Sequence, residues 1–320
     1  MLLSVKDLAV GFESSQGLAR AVDGVSFDLP PGQSFCLVGE SGCGKSVTAL
    51  SLLRLLPSPP ARLLSGSALF EGRDLLSLPE PELVRVRGRR IGMVFQEPMT
   101  SLNPVFTIGE QVAESFVLHA SLSRKEALEK AITLLDEVGI SKPSERVKAY
   151  PHELSGGMRQ RVMIAMAVAL HPPLLIADEP TTALDASLQG QILDLMVGLQ
   201  QGGGNSLLLI THDLDLVAEY ADSMAVMYSG RIVESGPVKT VLSSPRHPYT
   251  RGLVASRPRF KPGQRAERLP VIAGTVPSPL ERPEGCAFRN RCSCAFERCF
   301  EMPGLRDVQD GHMLRCWLES

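Results

Sequence analysis

Ser34-Phe35-Cys36-Leu37-Val38-Gly39-Glu40-Ser41-Gly42-Cys43-Gly44-Lys45-Ser46-Val47 is the stretch on which the reading of this chain turns. Its first five residues form a short apolar run, as expected of a buried strand. A glycine-rich loop follows, and from Lys45 to Leu56 the pattern is helical until Pro57 to Pro60 stops it. Glycines let successive backbone N–H groups turn inward, and the helix start behind them favours negative charge. Lys45 adds a point charge suited to β and γ phosphates, and the Ser46 hydroxyl suits magnesium. Gly39 to Val47 is therefore a candidate nucleotide-binding loop. The plainer reading, a flexible glycine turn before an ordinary helix, is weakened by the strand on one side and the helix on the other.

Working outward, Leu174-Leu175-Ile176-Ala177-Asp178-Glu179 is an apolar strand ending in two carboxylates. Alone, two acids after a strand read as a solvated turn. Paired with the phosphate loop, the strand offers Asp178 to a magnesium shell and Glu179 as a water-activating base. Between the two lies Leu154-Ser155-Gly156-Gly157-Met158-Arg159-Gln160, a second helix start with a hydroxyl and glycine N–H donors. By itself it reads equally well as a helix cap.

The surrounding pattern predicts an α/β core. Leu8, Val10 and Phe12 alternate, as do Val25, Phe27 and Leu29, which predicts half-buried strands of an antiparallel layer. Leu207 to Thr211 reads as a second buried strand of parallel type. Ser123 with Glu126 predicts a capping box, ahead of a helix with Leu128, Ala131, Leu135 and Val138 on one face. Leu184, Leu188, Ile192, Leu195 and Leu199 predict another helix. Met224 to Tyr228 and Arg231 to Glu234 read as a hairpin about Ser229-Gly230.

The 320 residues leave room for about two domains. With 44% hydrophobic and 21% charged residues the chain reads as globular rather than disordered. Thirty-three basic against 35 acidic residues give a charge of −2, which argues against a nucleic-acid partner. The uncharged run Val162 to Ala177 is broken by Pro172-Pro173 and is short for a membrane span, and Met1 to Leu8 lacks a signal-peptide core. An intracellular chain is expected. Five of the seven cysteines crowd the last 35 residues. A shift to proline, arginine and glycine after Arg257 places a boundary near residue 255.

Taken in order, the phosphate loop, Gln96, the Leu-Ser-Gly-Gly segment, Asp178-Glu179, Leu184-Asp185 and His212 resemble an ABC-type ATPase over residues 1–255. More narrowly, three stretches and the cysteine tail resemble the ATP-binding subunits of oligopeptide, dipeptide and nickel permeases. They are Val94 to Pro104, Tyr150 to Arg161 and His247-Pro248-Tyr249-Thr250, with wording like the OppD/DppD branch. The resemblance implies a mixed sheet of RecA-like type, an antiparallel β layer, a helical subdomain at about 97–165 and a cysteine-rich C-terminal module at 256–320.

It also implies roles. Phe12 stacks on adenine, although alone it reads as a core residue. Gln96 touches magnesium or the attacking water, and His212 contacts the γ-phosphate. Ser46, Gln96 and Asp178 hold magnesium. Ser155, Gly156, Gly157 and Gln160 cover the ATP of a facing subunit, which Asp185 also contacts. The implied activity is ATP hydrolysis that powers import of peptides, or of a small substrate such as nickel. The implied assembly pairs this chain with an OppF/DppF-like ATPase on two permease chains. It would lie at the cytoplasmic face of the membrane, fed by an extracytoplasmic binding protein, and a homodimer is the variant. The segment from Glu97 to Pro104 is expected to receive a permease helix.

Cys286, Cys292, Cys299 and Cys316 are spaced C-x5-C-x6-C-x16-C, with Cys294 as an extra thiol. Structural zinc usually shows a closer pair, and four thiolates also suit a [4Fe–4S] cluster. The resembled family includes members with such a cluster, which favours iron–sulfur over zinc or no metal. The alternative function is a soluble ABC ATPase with a metal-bearing regulatory tail.

Overall fold

A computed structural model describes residues 1–97, 101–181, 186–201, 204–257 and 270–318. The chain opens with a long hairpin, β1 (Leu3–Ser14) and β2 (Gly17–Leu29), then runs through β3 (Ser34–Val38) into α1 (Lys45–Leu52). It returns as β4 (Ala61–Phe70) and β5 (Arg73–Asp74), which join the hairpin in an antiparallel sheet of order β2-β1-β4-β5. After α2 (Glu80–Val86) come β6 (Ile91–Val94) and four helices: α3 (Ile108–Ala120), α4 (Arg124–Glu137), α5 (Pro143–Arg146) and α6 (Gly156–Val168). The chain re-enters the core as β7 (Leu174–Asp178), α7 (Ala186–Gln201), β8 (Ser206–Thr211), α8 (Leu214–Tyr220), β9 (Ser223–Tyr228) and β10 (Arg231–Pro237). The last described elements of regular structure are α9 (Val238–Ser243), α10 (Pro248–Ala255), β11 (Arg306–Gln309) and β12 (His312–Leu314).

The main sheet has eight strands in the order β11-β12-β10-β9-β3-β8-β7-β6. From β9 to β6 the pairs are parallel, and from β9 to β11 they are antiparallel. Every residue of β3, β7 and β8 is buried, which explains their unbroken apolar sequence. Alternate residues feed opposite sides. Cys36, Val38, Leu175, Ala177, Leu207 and Leu209 pack with the helices of the 108–168 insertion. Phe35, Leu37, Leu174, Ile176, Leu208 and Ile210 pack with α1 and the antiparallel sheet. The sheet is thus clamped between two cores, and its strand ends are the places where polar side chains can emerge.

Some local expectations differ from the structure. The helix after the phosphate loop ends at Leu52, not Leu56: Arg54 takes a left-handed φ of 50°, and Leu55 N–H closes onto the Leu50 carbonyl. The Ser123–Glu126 capping box is present. In α4, however, Leu128 is exposed and Ala127 takes its place in the core. In α7, Ile192 is joined in the core by Leu193 and Met196, a wider arc than the simple stripe.

The tail is continuous with the sheet, since β12 pairs with β10 through Glu234↔Leu314 and Ser235↔Met313. Glu234, fully buried, pins this region: it accepts from the N–H groups of Arg246 (2.7 Å) and His247 (2.9 Å) and lies 2.7 Å from His312 Nε2.

Candidate nucleotide site

The loop between β3 and α1 has the shape its glycines require. Gly44 caps α1 at φ +106°, and a Cβ there would stand 2.6 Å from the Ala21 carbonyl oxygen. Only glycine fits both the angle and the space. Lys45 is 4% exposed; its Nζ donates to the carbonyls of Gly39 (2.8 Å) and Glu40 (3.2 Å) and lies 3.8 Å from Glu179 Oε1. The ammonium is held at the mouth of the loop.

β7 delivers the two carboxylates to that ammonium. Ser46 Oγ, on the first turn of α1, donates to Asp178 Oδ1 at 2.9 Å. A hydroxyl and a carboxylate at this separation are hard oxygen donors of the kind magnesium takes, so the residues present fit that ion. Burial raises the Asp178 pKa, and the Glu179 carboxylate adds to the rise while the Ser46 hydroxyl opposes it. A buried carboxylate of this kind gains from a cation beside it.

Glu179 follows the strand with a left-handed φ of 44°, while its N–H still bonds the Ile210 carbonyl of β8. A non-glycine residue there costs about 1–2 kcal/mol, a strain found at functional positions. Its carboxylate gathers three groups from three segments. Lys45 stands at 3.8 Å, Gln96 Nε2 donates to Oε2 at 3.3 Å, and His212 Nδ1 lies 3.5 Å from Oε2. The carboxylate raises the His212 pKa above the ordinary histidine value against the opposing effect of burial. Gln96, Lys45, Ser46, Asp178, Glu179 and His212 are therefore brought together around one carboxylate pair.

The other expected residues lie further out. Ser155 caps α6, accepting from Met158 N–H at 3.4 Å, and stands exposed beside Gly156, which has open space where a Cβ would project. Gln160, grouped with them from the sequence, is buried instead, and its Nε2 donates to the Pro180 carbonyl. It joins the α6 start to the turn after Glu179 within one chain. Phe12 is half-buried on β1 opposite Ala19, two residues before Ala21 of the loop wall. Leu184 and Asp185 lie outside the described residues.

Two family models match the chain: ABC transporter over residues 22–182, and oligopeptide/dipeptide transporter, C-terminal region, over residues 233–299. The chain belongs to the ABC transporter family. It is 52% identical to a probable peptide ABC transporter ATP-binding protein, y4tR, of Sinorhizobium fredii, covering 99% of this chain and 95% of that one. Identity to the oligopeptide transport ATP-binding protein OppD of Bacillus subtilis is 50%, covering 99% and 88%. Against the dipeptide transport protein DppD of the same organism it is 46%, covering 100% and 95%. Among solved structures, the dimeric post-hydrolysis state of the ATP-binding cassette MJ0796, bound to ADP and Pi, superposes with a TM-score of 0.66. It is 25% identical and covers 74% of this chain and 98% of its own. The chain is an ATPase of this fold.

In this ABC ATPase, α10 and the tail behind it reach the phosphate loop. Glu40 N–H donates to the Tyr249 hydroxyl (2.9 Å), and the Glu40 carboxylate takes a two-pronged pair from Arg291, at 2.7 and 3.0 Å. Neither partner was foreseen as part of the site. They lie 209 and 251 residues along the chain from Glu40; Tyr249 falls in the His247–Thr250 stretch, but nothing local in the sequence ties either residue to Glu40.

The cysteines of the tail do not stand as the expected cluster. Cys286, Cys292, Cys294, Cys299, Cys316 and His247 line one small cavity of about 10 Å³. Yet no group of three or more His, Cys, Asp or Glu among the described residues is gathered to hold a metal ion. Burial pushes the Cys286 thiol up to about 11, so in this arrangement it is a protonated, apolar-packed group.

Proposed function

We propose that this chain hydrolyses ATP to power import of peptides through a membrane permease. The observation that carries this reading is 46–52% identity over almost the whole chain to proteins of peptide transport, themselves covered over 88–95% of their length. A non-transport ATPase with a regulatory tail finds no comparable support. On this reading residues 1–255 form the ATP domain, and 256–320 a tail module.

Lys45 and the loop N–H groups bind the phosphates, while Ser46, Asp178 and Gln96 hold magnesium, which supplies charge neutralisation at the phosphoryl oxygens. Glu179 takes the proton of the attacking water. His212 and Gln96 orient that carboxylate and the γ-phosphate, and Phe12 packs on adenine. Ser155, Gly156 and Gly157, at a helix start where Ser155 and Gly156 are exposed, supply donors to ATP held by a facing ATPase subunit, and Asp185 is assigned to contact that subunit. Gln160 acts inside its own chain, linking that junction to Glu179. The facing subunit is an OppF/DppF-like chain, or a second copy, and the pair docks on two permease chains at the cytoplasmic face of the membrane. No helix among the described residues is long and apolar enough to cross one.

For the tail, the reading of a stapling metal site on Cys286, Cys292, Cys299 and Cys316, [4Fe–4S] first and zinc second, rests on four thiols in one short segment, since the cavity they line is too small for a cluster as it stands. Metal entry would displace thiol protons and draw the sulfurs together. Uptake of labelled peptides by cells lacking the gene tests the main reading. The wild-type gene restores uptake and Lys45→Ala does not. Restored nickel uptake without peptide uptake would overturn the substrate class.

A further inference from the structure

We propose that Arg291 is a positioning residue of the ATP site, holding the phosphate loop through Glu40. The inference rests on Gly39 to Val47 being that site. Glu40 is the second residue of the loop and is fixed at three points. Its N–H meets the Tyr249 hydroxyl at 2.9 Å, its carbonyl accepts from Lys45 Nζ at 3.2 Å, and its carboxylate meets both terminal nitrogens of Arg291.

Arg291 is itself locked. Its side chain is 8% exposed, and it donates to the carbonyls of Ala273 (2.8 Å), Gly274 (3.2 Å) and Ile272 (3.4 Å) and to Tyr228 OH (3.3 Å). The guanidinium also faces the rings of Tyr228 and Phe288; Tyr228 packs edge-on against Phe288 and Tyr249, and those two rings lie tilted to each other. A guanidinium with this many fixed acceptors has one geometry, so it transmits the position of the tail to the loop rather than merely neutralising charge.

Charge gives the contact its direction. A carboxylate on a loop that receives polyphosphate opposes the ligand unless it is neutralised and turned aside, and Arg291 does both. A second tail arginine works nearby. Arg282 donates to Asp23 Oδ2 (2.7 Å), to the Arg20 carbonyl (2.6 Å) and to Ser229 Oγ (3.2 Å). It thus holds the turn whose Gly230 N–H bonds the Cys43 carbonyl at 2.8 Å. The loop is therefore gripped by the tail on both sides.

The test is the affinity of the full chain for a non-hydrolysable ATP analogue in Arg291→Met, Glu40→Gln and the double variant. Arg291→Met should weaken binding about tenfold, as loss of a charge-assisted pair implies. Adding Glu40→Gln should return at least about threefold of that loss, because the exposed carboxylate is then gone. A purely structural tie would give no such rescue. Unchanged affinity in Arg291→Met, or a double variant as weak as the single, overturns the proposal. If Arg291→Met does not fold, Arg291→Lys carries the test. Its affinity should fall about threefold and recover with Glu40→Gln, and a folded lysine variant of wild-type affinity overturns the proposal equally. Lys45→Ala separates the two levels. If it binds as wild type does, the site assignment itself fails; if it loses binding while Arg291→Met does not, only the role of Arg291 fails.

Discussion

Glu179→Gln is the substitution that most directly probes the site. Glutamine keeps the shape and an acceptor for Gln96 but removes the charge that faces Lys45 at 3.8 Å and His212 at 3.5 Å. Two consequences follow with opposite signs. Loss of a positioned general base lowers turnover by about 10²–10⁴, equivalent to roughly 3–5 kcal/mol on the barrier. Nucleotide affinity, by contrast, should hold or rise. The carboxylate and the Lys45 ammonium attract each other by about 4 kcal/mol at an effective dielectric near 20, and ATP must compete with that attraction for the ammonium. Single-turnover hydrolysis in the assembled complex, measured beside analogue binding to the isolated chain, separates the two. A variant that turns over at the wild-type rate removes Glu179 from the mechanism. One that loses hydrolysis together with binding shows that the carboxylate organises the loop rather than activates water.

Ser155→Arg should lower turnover of the assembled pair several-fold with unchanged binding at the Lys45 loop of the same chain; a parallel loss of that binding would refute the partner-facing assignment. The His212 imidazole should titrate above the ordinary histidine value and fall back in Glu179→Gln, as read by NMR. Because its folded pKa is raised, the His212–Glu179 contact favours the folded state fully below the unfolded value and loses that effect as pH climbs through the folded one. Asp23→Asn should destabilise the protein by about 2–3 kcal/mol in denaturant unfolding, since it leaves Arg231 and Arg282 facing each other. For Asp23, burial is outweighed by Arg231, Arg282 and Arg20, which hold its pKa low. Its contribution is therefore present above the ordinary carboxylate value and fades as pH falls below it. Anaerobically purified protein should carry about four iron and four sulfide per chain; one zinc instead would replace the cluster, and metal-free folded protein would remove the staple.

The parts of this protein legible in the sequence are those where physics acts locally. β3, β7 and β8 are buried on both faces, so they could only be written as apolar runs, and the polar residues at their ends stand out against them. Lys45, Asp178, Glu179 and His212 lie at or just beyond such ends, which is why the structure brings them together. Where a boundary depends on a neighbour, the reading slipped. No local breaker ends α1 at Leu52, since Arg54 turns left-handed and sends its side chain to the Leu78 carbonyl. Gln160 gave no sign that it would point inward at Pro180. The tail was opaque for a stronger reason: Arg291 reaches Glu40 across 251 residues, and Arg282 reaches Asp23 across 259. Pairs of that separation leave no periodicity to read.

That separation also sets an order of events during synthesis. Residues 34–47 leave the ribosome early, and β3 must then wait for β8 and β9, its neighbours on both sides, before it has a sheet to join. Arg282 and Arg291 emerge later still, so the phosphate loop is complete in sequence long before it is gripped. Closing a loop of this length costs only slightly more entropy than closing a moderate one, so what the late contacts determine is timing. A nascent chain halted before residue 282 would hold every residue of the proposed nucleotide site from Gly39 to His212 and yet lack Arg282 and Arg291.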